Sequence, residues 1–358
     1  MALRVQVIHE VPLTGRAIVR APRGVMLDGE SELEFDIEDL SIEKPFVKQF
    51  EMTCKNYGPW LVGGGEIELR FADRIVRVPL RVILWNSKSE VERGTRNEGG
   101  VELHEVRVGS RHLCVAPSHS GSLIRLGPTD DVSLFYDTFP EIKPYAWTDQ
   151  MLSGLSPIIC GHNTWDWETG LRREEWEIED VDRGPWTGFS VKSTLKHTPR
   201  VEGLRVRYDY LIMKGAPIAA IVMTATNETP RWVRATMGVR GVIRPGGDTL
   251  CRIRTSLRGK PSVFEPTATS TTLYTEADEN WVAFRGLKHG VVTGAIAQQR
   301  LPAEIRVDHI GDHGHILQMS SRLLLRPGEE ARRVWFVVWD CSEDVVETLK
   351  TIQMTLFV

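Results

Sequence analysis

Apolar and polar residues alternate with period two through most of this chain. "ELEFDIEDL" (32–40) places Leu33, Phe35 and Ile37 on one side and Glu32, Glu34, Asp36 and Glu38 on the other. "EIELRFADRIVRVPLRVILW" (66–85) holds two more such runs, with "ADR" between them as a tight turn. Period two with one charged face marks antiparallel sheet that meets water on one side. From residue 101 the runs become longer and more apolar, as in "LRVRYDYLIMKG", "PIAAIVMTATNET", "HILQMSSRLLLRPG" and "RRVWFVVWD". Turn chemistry ("KGAP", "NETP", "RPGGD", "RPGEE") separates them. A single helical pattern stands out, "SEDVVETLKTIQMTL" (342–356), with Ser342 as its cap and Glu343 and Asp344 at the positive end of its dipole.

These patterns predict an all-β protein of two domains. Residues 1–90 read as a small immunoglobulin-like β-sandwich with no signature disulfide. "NYGPWLVGGG" (56–65) reads as a connector within it. The polar stretch "NSKSEVERGTRNEGG" (86–100) covers the junction, with 91–100 as the linker. Residues 101–358 hold more than a dozen predicted strands, enough for two large packed antiparallel sheets, closed by the one C-terminal helix. No fixed-period repeat is visible, which argues against a propeller.

Composition narrows the partners. The 358 residues carry a net charge of −4 with no long basic run, so nucleic acid is not an expected partner. No apolar run reaches the roughly 20 residues of a membrane helix. The N-terminus lacks a secretory apolar core, and the five cysteines are scattered without a CxxC pair. Free thiols in a reducing cytoplasm are the plain expectation. No cofactor motif appears: "LVGGGE" has three glycines but neither a following helix nor a GK[ST]. A homo-oligomer is left open.

Four segments, in order along the chain, carry a resemblance. They are "SLIRLGPTDDVSLFYDTFP" (122–140), "AWTDQMLSGLSPIICG" (146–161), "RVRYDYLIMKGAPIAAIVMTATNETPRWVRATMGVRGVI" (205–243) and "LLLRPGEEARRVWFVVW" (323–339). Over residues 110–340 the chain resembles the galactose-mutarotase-like supersandwich proteins. The resemblance implies a carbohydrate ligand on the concave face of the large domain, as in aldose epimerases, polysaccharide lyase domains and accessory domains of glycoside hydrolases. The epimerase "NHxYFNL" strand, which would carry a general-acid histidine, has no counterpart here.

Two concentrations of chemistry fit that expectation. "CGHNTWDWETGLRREEWEIED" (160–180) crowds indoles among carboxylates. On a strand, Trp165 and Trp167 share one face as plates for sugar C–H groups, and Asp166 and Glu168 lie on the other as hydroxyl acceptors. The same alternation also describes a half-buried strand with core indoles and solvated acids. Trp147 lies nearby in sequence as a further binding residue, and His162 and Glu168 are candidate acid–base groups. "EIRVDHIGDHGHIL" (304–317) gathers His309, His313 and His315 with Asp308 and Asp312. His313 and His315 suit acid–base chemistry on a sugar. The cluster also suits a divalent metal, although no known ligand spacing matches and a plain hairpin fits as well. Arg231, Arg234 and Arg240 are candidates for an acidic sugar, with Arg240 foremost, although such arginines more often form a solvated sheet face. The leading expectation is carbohydrate binding or processing. The alternatives are a non-catalytic accessory module and a metal-dependent enzyme built on 308–315.

Overall fold

Alternation becomes sheet through most of the described residues. The computed structural model describes residues 2–5, 13–41, 44, 46–54, 61–84, 89–129, 131–141, 143–144, 150–151, 153–161, 171–257, 259–267, 274–277, 279–298, 304–309 and 314–352. By backbone proximity these form two units, 1–85 and 86–358.

In the first unit a four-stranded antiparallel sheet runs in the order Glu32–Leu40, Leu13–Arg20, Leu61–Phe71, Ile75–Leu84. Two short ladders accompany it, Ala2–Val5 with Phe46–Gln49 and Val25–Leu27 with Met52–Cys54. Ala17, Val19, Leu27, Ile37, Leu40 and Phe50 join in one apolar core. "LVGGGE" is not a connector: Leu61–Phe71 is a single strand that pairs with Ile75–Leu84 from Leu61↔Leu84 to Arg70↔Ile75. Gly65 serves close packing, since a Cβ there would lie 2.2 Å from the Arg20 carbonyl oxygen.

The second unit holds two nine-stranded antiparallel sheets. Sheet I runs edge to edge Tyr274–Glu276, Glu304–His309, His315–Leu325, Val233–Ile243, Leu155–Cys160, Ser122–Gly127, Arg111–Ala116, Val101–Val108, Val91–Glu98. Sheet II runs Glu177–Arg183, Trp186–Thr194, Leu204–Met213, Ile218–Asn227, Glu330–Trp339, Val292–Ala297, Trp281–Gly286, Cys251–Leu257, Lys260–Phe264. Their facing sides share one core, in which Val239, Met319, Tyr208, Ile221, Trp335 and Trp339 are buried. Burying each large side chain of this kind contributes about 2–3 kcal/mol.

The predicted linker is a strand. Val91–Glu98 pairs residue by residue with Val101–Val108 and forms the edge of sheet I. Its polar composition reflects its place: all its residues but the first and last are exposed, and charged side chains protect an edge from further pairing. Arg93 also ties this edge to sheet II, donating to the carbonyls of Gly188 and Val181 and to Thr187 Oγ1.

The C-terminal helix is shorter than its pattern. It spans Glu343–Thr348 and passes into one 3₁₀ turn, Leu349–Thr351. Ser342 caps it as expected, its hydroxyl accepting from the Val345 N–H at 3.3 Å. Val346 and Leu349 are its buried contacts. The last predicted turn lies beyond the described residues. All five cysteines are free thiols. Among the described residues no helix is long and apolar enough to cross a membrane.

Candidate functional site

Period two decides which predicted residues can meet. In sheet I, Val239, Leu317, Met319, Ile305 and Val307 point into the shared core. The residues between them therefore point outward. Arg240 is one of these. It lies opposite Ser156 on one side and Gln318 on the other, and Gln318 lies opposite Arg306. Four adjacent strands thus carry Ser156, Arg240, Gln318 and Arg306 as a polar row on the outer face. Arg306 Nε donates to Asp308 at 3.0 Å, and Gln318 Nε2 to Ser320 Oγ at 3.1 Å. The Ser156 hydroxyl is buried with no hydrogen-bond partner. Beside Arg240 on the same face is Gly238, where a Cβ would lie 1.9 Å from the Met319 carbonyl oxygen. No side chain fits at this buried position. Of the other arginines, Arg234 is exposed, and Arg231 pairs with Glu202 at 3.1 Å.

His315 is placed differently from expectation. It lies opposite His309 across two strands, on the inner face, and both rings are wholly buried. Their centroids are 4.8 Å apart. The Cys251 N–H donates to His315 Nε2 at 3.0 Å, and His309 Nε2 donates to the Thr267 carbonyl at 3.0 Å. Burial, with the His309 ring beside it, pushes the His315 pKa down to about 3. A neutral, enclosed imidazole that serves a backbone N–H has no face to offer a substrate. The acid–base expectation for His315 is corrected on that ground. For the metal reading of 308–315, Asp308 points to the opposite face, into its ion pair with Arg306, and Asp312 lies outside the described residues. His313 lies outside the described residues, as do His162, Trp165, Asp166, Trp167, Glu168 and Trp147.

The end of the Trp/Glu-rich stretch is described, and it is structural. Glu174 is buried. Its carboxylate accepts from the N–H groups of Lys196, His197 and Thr198 at 2.7–2.8 Å and from Thr198 Oγ1 at 2.9 Å. It closes the turn after strand Trp186–Thr194. Trp176 packs on the core beside Tyr208, and its ring fills the space over Gly121. Glu175 and Glu177 pair with Lys196 and Lys192 near the surface.

A second His/Cys/Glu group was not anticipated from the sequence. Glu105, His112 and Cys114 meet on the outer face of sheet I with ligand-type atoms all within 4.8 Å. Period two puts His112 and Cys114 on one face, but only strand pairing sets Glu105 against Cys114. Their chemistry fits an ion-pair network better than a metal. Arg96 Nε reaches Glu105 at 2.6 Å and Arg107 reaches its other oxygen at 3.2 Å. Burial and the Glu105 charge push the Cys114 thiol up, so it stays protonated. Two guanidiniums already balance the carboxylate, and a divalent cation would be repelled by both.

The chain has structural likenesses but no match in sequence. No family model and no curated protein matches it. A putative aldose 1-epimerase from Klebsiella pneumoniae superposes with a TM-score of 0.52 at 11% identity, over 73% of this chain and 85% of that one. A galactose mutarotase-like protein from Clostridium acetobutylicum gives 0.51 at 10% identity, over 71% and 99%. A TPR-domain containing protein from Parabacteroides distasonis gives 0.53 at 12% identity, over 82% of this chain and 52% of that one. At such identities the likeness is one of fold, and fold alone does not fix an activity. The chain carries the supersandwich fold of the galactose-mutarotase-like proteins.

Proposed function

We propose that this protein binds a carbohydrate on the outer face of sheet I. The observation that carries the reading is the row Ser156–Arg240–Gln318–Arg306 across four adjacent strands. A sugar presents hydroxyls at similar spacings along its ring. Neighbouring strands about 4.8 Å apart offer donors and acceptors in step with them. Arg240 stands at the centre, with Ser156 and Gln318 flanking it. A carboxylate-bearing sugar gains most, because a planar guanidinium fork pairs with a carboxylate through two hydrogen bonds. The fold shared with a putative aldose 1-epimerase supports a carbohydrate ligand.

Binding without turnover is the reading favoured for the described groups. Those of the row are hydrogen-bonding groups, and the one described histidine once considered for proton transfer, His315, is turned inward. The test is calorimetric titration with neutral monosaccharides and hexuronic acids. It is paired with proton NMR of anomer interconversion. Arg240→Ala is expected to weaken hexuronate binding at least tenfold with an unchanged melting curve. A parent protein that binds no sugar in either class would end the proposal. Accelerated anomer exchange in the parent would replace binding by catalysis.

A further inference from the structure

The outer face of sheet II carries a second row, made of different residues. Lys192 lies opposite Arg207, Arg207 opposite Thr224, and Thr224 opposite Arg332, along four adjacent strands. The row floors an open basin of about 410 Å³. Thr224, the shortest side chain of the four, sits between the two guanidiniums and leaves a hollow there.

The acids nearby do not satisfy these cations. Asp209 holds Arg207 through Nε at 2.6 Å, and Glu179 approaches another of its nitrogens at 3.5 Å. Arg207 Nη2 still has no hydrogen-bond partner. Arg332 has no carboxylate within ion-pair distance among the described residues, and its Nε is buried with no partner. Burial together with the charges of Arg183 and Arg207 pushes the Arg332 pKa down, against the pull of Asp209 and Glu330. A guanidinium does not lose its proton at ordinary pH, so the unfavourable field persists. Leaving donors without acceptors costs free energy that a ligand can recover.

We propose that this basin binds the phosphate or sulfate ester group of a small molecule, over Thr224 and between Arg207 and Arg332. A tetrahedral oxyanion, doubly charged in a phosphate monoester and singly charged in a sulfate ester, brings acceptor oxygens on several sides. Two guanidinium forks facing each other across about 10 Å, two strand spacings, can both reach it. Lys192, although drawn toward Glu179 at 3.2 Å, adds a further positive charge at the end of the row. The Thr224 hydroxyl can donate from below. A carboxylate would satisfy one guanidinium, whereas the three peripheral oxygens of a phosphate or sulfate ester engage both. The site is independent of the Arg240 row, which lies on the other sheet.

The experiment is calorimetric titration of the full chain at constant ionic strength. The probes are inorganic phosphate, inorganic sulfate, a monosaccharide phosphate and its unphosphorylated sugar. Binding of phosphate or sulfate is expected, weakened at least tenfold in Arg332→Ala and in Thr224→Glu and unchanged in Arg240→Ala. The second variant keeps both arginines and places a carboxylate in the hollow, so its failure to bind does not depend on removing a buried group. Tighter binding of the monosaccharide phosphate than of inorganic phosphate identifies a phosphorylated sugar as the ligand. Equal affinities identify the oxyanion alone. Anion binding lost in Arg240→Ala but kept in Arg332→Ala would overturn the proposal, as would a parent protein that binds no oxyanion. The sugar titrations described for Arg240 fail or succeed separately.

Discussion

Glu174 shows how one residue can answer to two readings. In the sequence it belongs to a run of acids beside indoles, which suits a sugar site. In the fold it is a buried carboxylate holding three backbone N–H groups of one turn. Glu174→Ala leaves all three N–H donors without their acceptor, and the expected loss is about 3 kcal/mol, measured by urea unfolding. A change within error of zero would mean that the turn finds other partners. His315 makes a residue-scale prediction about pH. Its folded pKa of about 3 lies below the ordinary 6.5, and that of His119, lowered by burial and by Arg172, is about 4. Between these values and 6.5 the unfolded chain binds more protons than the folded one. Stability is therefore full above about pH 6.5 and falls as pH drops toward 4. In His315→Gln the slope of unfolding free energy between pH 4 and 6 should flatten by about one proton, roughly 1.4 kcal/mol per pH unit. An identical slope in the variant would show that His315 already titrates with ordinary affinity in the folded state.

At the scale of the element, strand Val91–Glu98 is the instructive case. Glycine, charge and weak alternation read as a linker, yet backbone pairing with Val101–Val108 costs nothing in side-chain chemistry. An edge strand needs only one paired side, and its solvent-facing residues can be as polar as those of a loop. Arg93 adds the tertiary tie, with three acceptors on sheet II strands. Arg93→Ala is expected to leave the global melting temperature within a few degrees and to speed amide exchange selectively in 91–98. Exchange rates matching the parent would remove Arg93 from that role. The short helix is a second case. Its N-terminus follows the capping rule at Ser342, but its pattern runs on to residue 356 where the described structure turns to 3₁₀ at Leu349. Six residues form few internal hydrogen bonds, so packing of Val346 and Leu349 holds it more than propensity does. Ser342→Ala should cost about 1 kcal/mol, read by thermal unfolding.

For the whole molecule, the two units each have their own apolar core. A chain starting at residue 86 keeps both nine-stranded sheets. It is expected to fold by itself, with a sheet-dominated far-ultraviolet circular dichroism spectrum and a single cooperative melt. A broad, non-cooperative melt would mean that residues 1–85 complete its core.

The sequence by itself determined the all-β class, the strand-rich second unit and the cap of its helix. These are local properties: side-chain period, turn chemistry and capping act within a few residues. Only the tertiary structure decided what lies beside what. Ser156 and Gln318 flank Arg240 across distances of 84 and 78 residues in sequence. Thr224 is 108 residues from Arg332. Strand register, which sets those pairs, is chosen by the burial of the opposite face and leaves no mark in the outward residues themselves. The same register turned His315 inward. A histidine next to a polar turn reads as exposed until the strand opposite brings His309 against it and the Cys251 N–H claims its nitrogen.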